Sequence, residues 1–267
     1  MSFVKIERPR EGVALVTLDR PERMNAMAFD VMIPLRESLQ ALGRDNTVRV
    51  VVLTGAGHGF CSGADLEDPG ALPNIEGLGL PTIALRSMEL LDEVIRTLRR
   101  LHQPVIAAVN GAAIGGGFCL AMASDIRVAG VPAYFRAAGI NNGLTASELG
   151  LSYLLPRAIG SARAAEIMLT GRDVDAEEAA RIGLVSHVVA SDQLLATCFD
   201  IAERITGFSQ AGIELTKRSL WASLDASSLE THMDAEGLGQ LFVRLTTKNF
   251  EEAVRARRDK RPPEFTD

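Results

Sequence analysis

Residues 111–125 read GAAIGGGFCLAMASD, with Gly115, Gly116 and Gly117 in succession. The run follows the apolar stretch PVIAAV at 104–109 and carries no charge until Asp125. That order predicts a buried strand, a turn bare of side chains, and then a helix. Such a turn aims backbone N–H groups, backed by the helix dipole, at whatever occupies it. An earlier turn, GAGHGFCSGADL at 55–66, repeats the pattern after the apolar segment VRVVVL at 48–53. Two glycine-rich turns at the ends of two such strands can hold one developing oxyanion between them.

The rest of the chain gives these turns an α/β setting. Val13–Leu18 is short, apolar and bounded by turn residues, like 48–53, 104–109 and 126–129, so all four read as buried strands. Residues 28–43 place apolar side chains at helical spacing and close on Gly43. From about Ser161 onward helix dominates, apart from a strand near 185–189; a charged helix at 248–258 stops before Pro262 and Pro263. Residues 67–81, EDPGALPNIEGLGLP, are rich in proline and glycine and predict a mobile loop beside the first turn. A core over 1–200 and a helical region over 201–267 follow from this reading.

In 267 residues, a hydrophobic content of 47% supports one sizeable core. The net charge of −6 argues against a general nucleic-acid or anionic-membrane binder. An anionic ligand stays open, because a local basic patch or N–H cluster can hold one. Cys61, Cys119 and Cys198 have the spacing of neither a metal site nor a disulfide framework, which points to a reducing compartment. The opening MSFVKIERPREG has no apolar leader and no apolar run is of membrane length, so a cytoplasmic protein is expected. A dinucleotide site is disfavoured: Gly55, Gly57 and Gly59 are spaced GxGxG, and CSGADLEDPG follows where a helix is needed. No Ser-His-Asp order or metal-ligand cluster stands out.

Four segments resemble the enoyl-CoA hydratase/isomerase (crotonase) superfamily: LDRPERMNAM at 18–27, FCSGADL at 60–66, PVIAAVNGAAIGGGFCLAMASDIRVA at 104–129 and RIGLVSHVV at 181–189. Their order and spacing cover nearly the whole chain. The resemblance implies a crotonase-like α/β spiral of ββα units with a C-terminal helical trimerisation part, assembled as a homotrimer or hexamer. It implies an acyl-CoA thioester as substrate, no separate cofactor and no metal. The thioester oxygen is expected between the N–H groups of Ala64 and Gly116. Arg23, Met24 and Ala26 of the early loop are expected to contact the substrate, as are Ser62, Gly63, Asp65 and Leu66 of the first turn. Gly115, Cys119, Gly139 and Leu144 complete that set.

The departures from the family pattern bear on the reaction. Hydratases of this family carry two glutamates that hold water, at positions that here are Cys119 and Gly139. Hydration needs a base for the water and an acid for the α-carbon. Cys119, in the apolar run FCLAM, reads as a small core residue sooner than as a base, and a glycine carries no proton. Placing glutamates at both positions is expected to raise hydration. Glu148, eight residues before Pro156, resembles the lone acid of Δ3,Δ2-enoyl-CoA isomerases. An apolar surround of Leu144, Leu149 and Leu151 is expected to raise its pKa. The alternative is a first-turn glutamate that caps the helix of LGLSYLL. Other candidates have plainer readings: His58 as a solvated turn residue, Glu89, Asp92 and Glu93 as a wet helix face, and Asp65 as a brace for its own turn. Lys248, Arg255, Arg257, Arg258 and Lys260 form a candidate phosphate patch, and replacing Asp267 by alanine is expected to leave turnover unchanged. Three functions stand open: an isomerase using Glu148, an enoyl-CoA hydratase of low or specialised activity in fatty-acid metabolism, and a non-catalytic acyl-CoA-binding scaffold.

Overall fold

In the computed structural model, which describes residues 3–267, the strands sort into two sheets. The larger runs β1 (Val4–Arg10), β2 (Val13–Leu18), β3 (Val50–Gly55), β5 (Val105–Val109), β7 (Ile126–Gly130) and β10 (His187–Val189). The smaller runs β4 (Gly59–Cys61), β6 (Ala112–Ile114), β8 (Tyr134–Arg136) and β9 (Val174–Asp175). Three consecutive units each give a strand to the large sheet, the next to the small one, and then a helix. They are β3–β4 with α2 (Leu80–Arg100), β5–β6 with α3 (Gly116–Ala123), and β7–β8 with α4 (Leu151–Ile159). Strands 3, 5 and 7 are parallel neighbours, as are 4, 6 and 8, so each unit lies beside the last. The chain therefore advances as the expected α/β spiral of ββα units.

Alternation along the central strands explains why they read as continuous apolar runs. Val51 and Leu53 of β3, with Val105, Ala107 and Val109 of β5, face the main core under α1 (Phe29–Leu42). Their neighbours Val50, Val52, Ile106 and Ala108 pack instead with Leu194, Cys198 and Ala202 of α7 (Leu194–Thr206). Successive side chains point to opposite faces, and here both faces are covered. The expected boundary at residue 200 falls inside α7, a helix that covers the large sheet. Strand β1 escaped the sequence reading because it is an edge strand with only Val4 buried, antiparallel to β2.

Beyond β8, α5 (Ser161–Thr170) and α6 (Ala176–Arg181) flank β9 in sequence, and α8 (Gln210–Ala222), α9 (Leu229–Thr246) and α10 (Asn249–Asp259) follow α7. Helix α8 docks on the end of α3 through Asp125, which accepts from Lys217 at 2.8 Å, the Trp221 indole at 2.6 Å and the Val105 N–H at 2.7 Å. Asp267 has a structural role at the far end of the chain: it accepts from the N–H groups of Gln210 and Ala211 at 3.1 and 2.9 Å, closing the start of α8. No residue of α9 is buried, and its Leu229, Met233, Leu238, Leu241, Phe242 and Leu245 are exposed. Among the described residues, no helix is long and apolar enough to cross a membrane.

Candidate active site

The two glycine-rich turns meet. A β-carbon placed on Gly63, whose φ is +83°, would stand 2.7 Å from the Ile114 carbonyl oxygen and 3.6 Å from the Gly115 Cα. Gly115, at φ 52° and ψ −119°, occupies backbone space closed to other residues. Planar peptides then fix where the donors point. The Gly63 carbonyl accepts from the Met27 N–H at 2.7 Å, so the Ala64 N–H on the opposite side of that peptide points away from Met27. Asp65 N–H returns to the Met27 carbonyl at 3.2 Å, completing a bridge that does not use Ala64's own N–H. The Gly115 carbonyl accepts from Cys119 N–H at 3.0 Å inside α3, so the Gly116 N–H points out of the start of that helix. Among the described residues neither donor has an acceptor. Both are available to a ligand oxygen.

The early loop is folded against the first turn, bringing Arg23, Met24 and Ala26 beside Ser62, Gly63 and Asp65. The Met24 carbonyl accepts from Ser62 N–H at 3.1 Å, the Arg23 carbonyl from the Ser62 hydroxyl at 3.3 Å, and Ala26 N–H donates to the Arg23 carbonyl. Arg23 spends its guanidinium on Asp65, at 2.6 and 3.2 Å, and on Glu67 at 2.6 Å. Asp65 is buried and its carboxyl is held well below the usual range, chiefly by hydrogen bonds from Arg23. Its oxygens face arginines and its own turn, so it serves as a brace and not as a substrate contact. Met24 and Leu66 are the open apolar members, Leu66 being 76% exposed.

Three supports went unread in the sequence. Buried Arg20 pairs with Asp65 at 3.1 Å and Asp68 at 2.9 Å. Asn25 donates to the carbonyls of Ala56 and Gly59 at 2.9 and 2.8 Å and accepts from Arg20 N–H. Asn110 donates to the carbonyls of Gly57 and Gly59 at 3.0 and 3.2 Å. An asparagine directly before a glycine at a strand end was the available signal for Asn110.

Glu148 lies at the junction. Its Oε1 would be 3.3 Å from a β-carbon on Gly115, which places the carboxylate at the glycine turn. Among the described residues this carboxylate has neither a hydrogen bond nor an ion pair, and burial pushes its pKa above the ordinary glutamate value. The helix-cap reading fails on geometry: the cap of α4 is Gly150, at φ +82°, and no side chain caps it. Leu149, itself at φ 46°, and Gly150 form two left-handed residues in a row that hold Glu148 out of the helix. Leu149 packs over Gly116, whose β-carbon would meet Leu149 Cδ1 at 3.4 Å and the Met27 sulfur at 2.0 Å. Leu151 is buried, but Leu144 is 68% exposed and gives the carboxylate no apolar cover.

The two hydratase positions are closed. Cys119 is fully buried in α3, its thiol 3.5 Å from the Glu148 carbonyl and its pKa driven up by burial, so it is a prop behind Glu148 and not a base. Gly139 is buried in a turn where a β-carbon would stand 1.9 Å from the Thr145 carbonyl oxygen. No side chain fits there, so a glutamate at 139 would break this turn before it supported hydration. His58 is exposed, with its carbonyl pressed on Gly111, and Glu89, Asp92 and Glu93 pair with Arg86, Arg96 and Arg100 along α2. The five basic residues at 248–260 lie on and around α10.

The enoyl-CoA hydratase/isomerase family model matches residues 8–267. The chain belongs to this family. It is 71% identical over its whole length to a probable enoyl-CoA hydratase, EchA12, of Mycobacterium tuberculosis, covering 94% of that protein. A crystal structure of a probable enoyl-CoA hydratase/isomerase from Mycobacterium abscessus superposes with a TM-score of 0.96 at 70% identity, over 99% of this chain and 98% of that one. A monofunctional enoyl-CoA isomerase from M. smegmatis is 65% identical, with a TM-score of 0.75 over 87% of this chain and 99% of its own. Family membership makes the chain an enzyme of the hydratase or isomerase type.

Proposed function

We propose that the enzyme moves the double bond of an enoyl-CoA thioester, with Glu148 as the single proton carrier and Ala64 and Gly116 as the oxyanion hole. The observation that carries this reading is an unpartnered, half-buried carboxylate at the Gly115 turn, where the two hydratase positions are a buried cysteine and a glycine with no room for a side chain. Glu148 takes a proton from C2 of a 3-enoyl thioester, the negative charge passes to the thioester oxygen, and the same carboxyl returns the proton to C4. Each N–H donor facing that oxygen is worth about 3 kcal/mol of barrier. The shift is redox-neutral and needs no reactant besides the thioester.

Hydration is the second reading, favoured by the name of the M. tuberculosis relative; there Glu148 alone orders the water. The natural chain assayed on 3-hexenoyl-CoA and on crotonyl-CoA separates the two. Fast isomerisation with slow hydration is expected, and fast crotonyl-CoA hydration refutes the proposal. Binding of both without turnover would instead indicate a scaffold. Helix α9, which has no buried residue and six large exposed apolar side chains, supports self-association as a homotrimer or hexamer, which light scattering would read.

A further inference from the structure

We infer that Arg20 and Asp65 are positioning residues whose buried ion pair holds the Ala64 N–H in the direction that the Met27 bonds give it, and so maintains the polarising strength of the oxyanion hole. The inference rests on the oxyanion reading above, but not on which reaction the hole serves. Asp65 follows Ala64 directly, and its side chain is 1% exposed. Its carboxylate accepts from Arg20 at 3.1 Å, from Arg23 at 2.6 and 3.2 Å, and from the N–H groups of Glu67 and Asp68 at 3.1 and 2.9 Å. A carboxylate offers about four lone-pair sites, so these five donors saturate it. Arg20 is held in turn on several sides. It bridges Asp65 to Asp68, its own N–H binds Asn25, and its guanidinium lies 5.2 Å from the centre of the Phe3 ring.

Geometry explains why this position needs a charged clamp. The peptide that carries the Ala64 N–H is preceded by Gly63 at φ +83°, a residue with little conformational preference of its own. Met27 fastens that peptide from one side and the Asp65 carboxylate anchors the segment just beyond it. Removing the charge reverses the match. An asparagine at 65 would turn an NH2 group toward guanidinium donors, leaving the two backbone bonds to Met27 alone to hold the donor on the ligand oxygen.

The test follows the thioester carbonyl itself. Butyryl-CoA labelled with 13C at that carbon has no double bond to move, and its C=O stretch reports polarisation by difference infrared spectroscopy. Binding to the natural chain should lower the frequency. The double variant Arg20→Gln/Asp65→Asn, which leaves no lone buried charge between the two positions, should lose most of that shift. Its kcat on 3-hexenoyl-CoA should fall about 10- to 100-fold, somewhat less than complete loss of one oxyanion donor causes, with butyryl-CoA affinity changed far less. Arg20→Lys keeps the charge without the bridging fork and should fall between. It supplies the same readout if the double variant does not fold. Folded variants that keep the natural carbonyl shift and kcat overturn the inference. A natural chain that leaves the carbonyl frequency unmoved overturns the oxyanion reading as well.

Discussion

Replacing Glu148 by glutamine separates proton transfer from architecture with little disturbance of shape. The carboxylate makes no hydrogen bond or ion pair among the described residues, so the amide forfeits no contact within the protein. Burial raises its pKa above the usual glutamate value, meaning that the folded state holds the ionised form at a cost. Between the unfolded and folded pKa values the native protein binds more protons than the unfolded chain, so this group's contribution to stability declines as pH rises through that window. Glutamine removes that dependence. At neutral pH Glu148→Gln should therefore match or exceed the natural chain in Tm, whereas removal of a true helix cap costs about 1 kcal/mol. Catalysis should move the other way. Loss of a general base costs at least about 100-fold, equivalent to about 2.7 kcal/mol of barrier. The assay is the ultraviolet absorbance of the conjugated 2-enoyl thioester formed from 3-hexenoyl-CoA, with calorimetric Kd measured in parallel. A well-folded Glu148→Gln protein with unchanged kcat would refute the assignment of Glu148 as the proton carrier.

The kcat/KM of the natural enzyme should fall on acidification through a midpoint above the ordinary glutamate value of 4.5, because the base must be ionised; a pH–rate profile measures this. Gly116→Pro removes one oxyanion donor at a helix position whose backbone accepts proline, and should abolish turnover. Pairing it with Met27→Ala clears the sulfur that stands 2.0 Å from the new β-carbon, and Met27→Ala alone should retain activity in the same assay. Gly139→Ala forces a methyl to within 1.9 Å of the Thr145 carbonyl and should cost about 1–3 kcal/mol in urea denaturation, with kcat falling as the Glu148 loop shifts.

The strands that carry the two turns were legible because both of their faces are buried, which makes the apolar run continuous and unambiguous. Val13–Leu18 forms β2 with the expected bounds, and the helix expected over 28–43 forms α1 at Phe29–Leu42. The three-residue strands β4, β6 and β8 were not legible. Their pairing joins residues tens of positions apart, and segments so short carry no period of their own. Sequence order also placed the two glycine-rich turns, and the family resemblance pointed to Ala64 and Gly116 within them; only Gly116 stands at a strand-to-helix turn, where the first N–H groups of a helix have no intrahelical acceptor.

Tertiary structure alone decided what surrounds those donors. Arg20 reads in sequence as one more charged residue before a proline; only folding buries it against Asp65. Leu144 reads as cover for Glu148 but is exposed, while Leu149, held at φ 46°, turns the carboxylate toward Gly115. Gly139 shows why the hydratase position is empty only once the Thr145 carbonyl is seen where a β-carbon would have to go. Local residue order fixes where glycines leave the backbone bare. Which side chains face them depends on contacts between distant segments, and those have no signature along the chain.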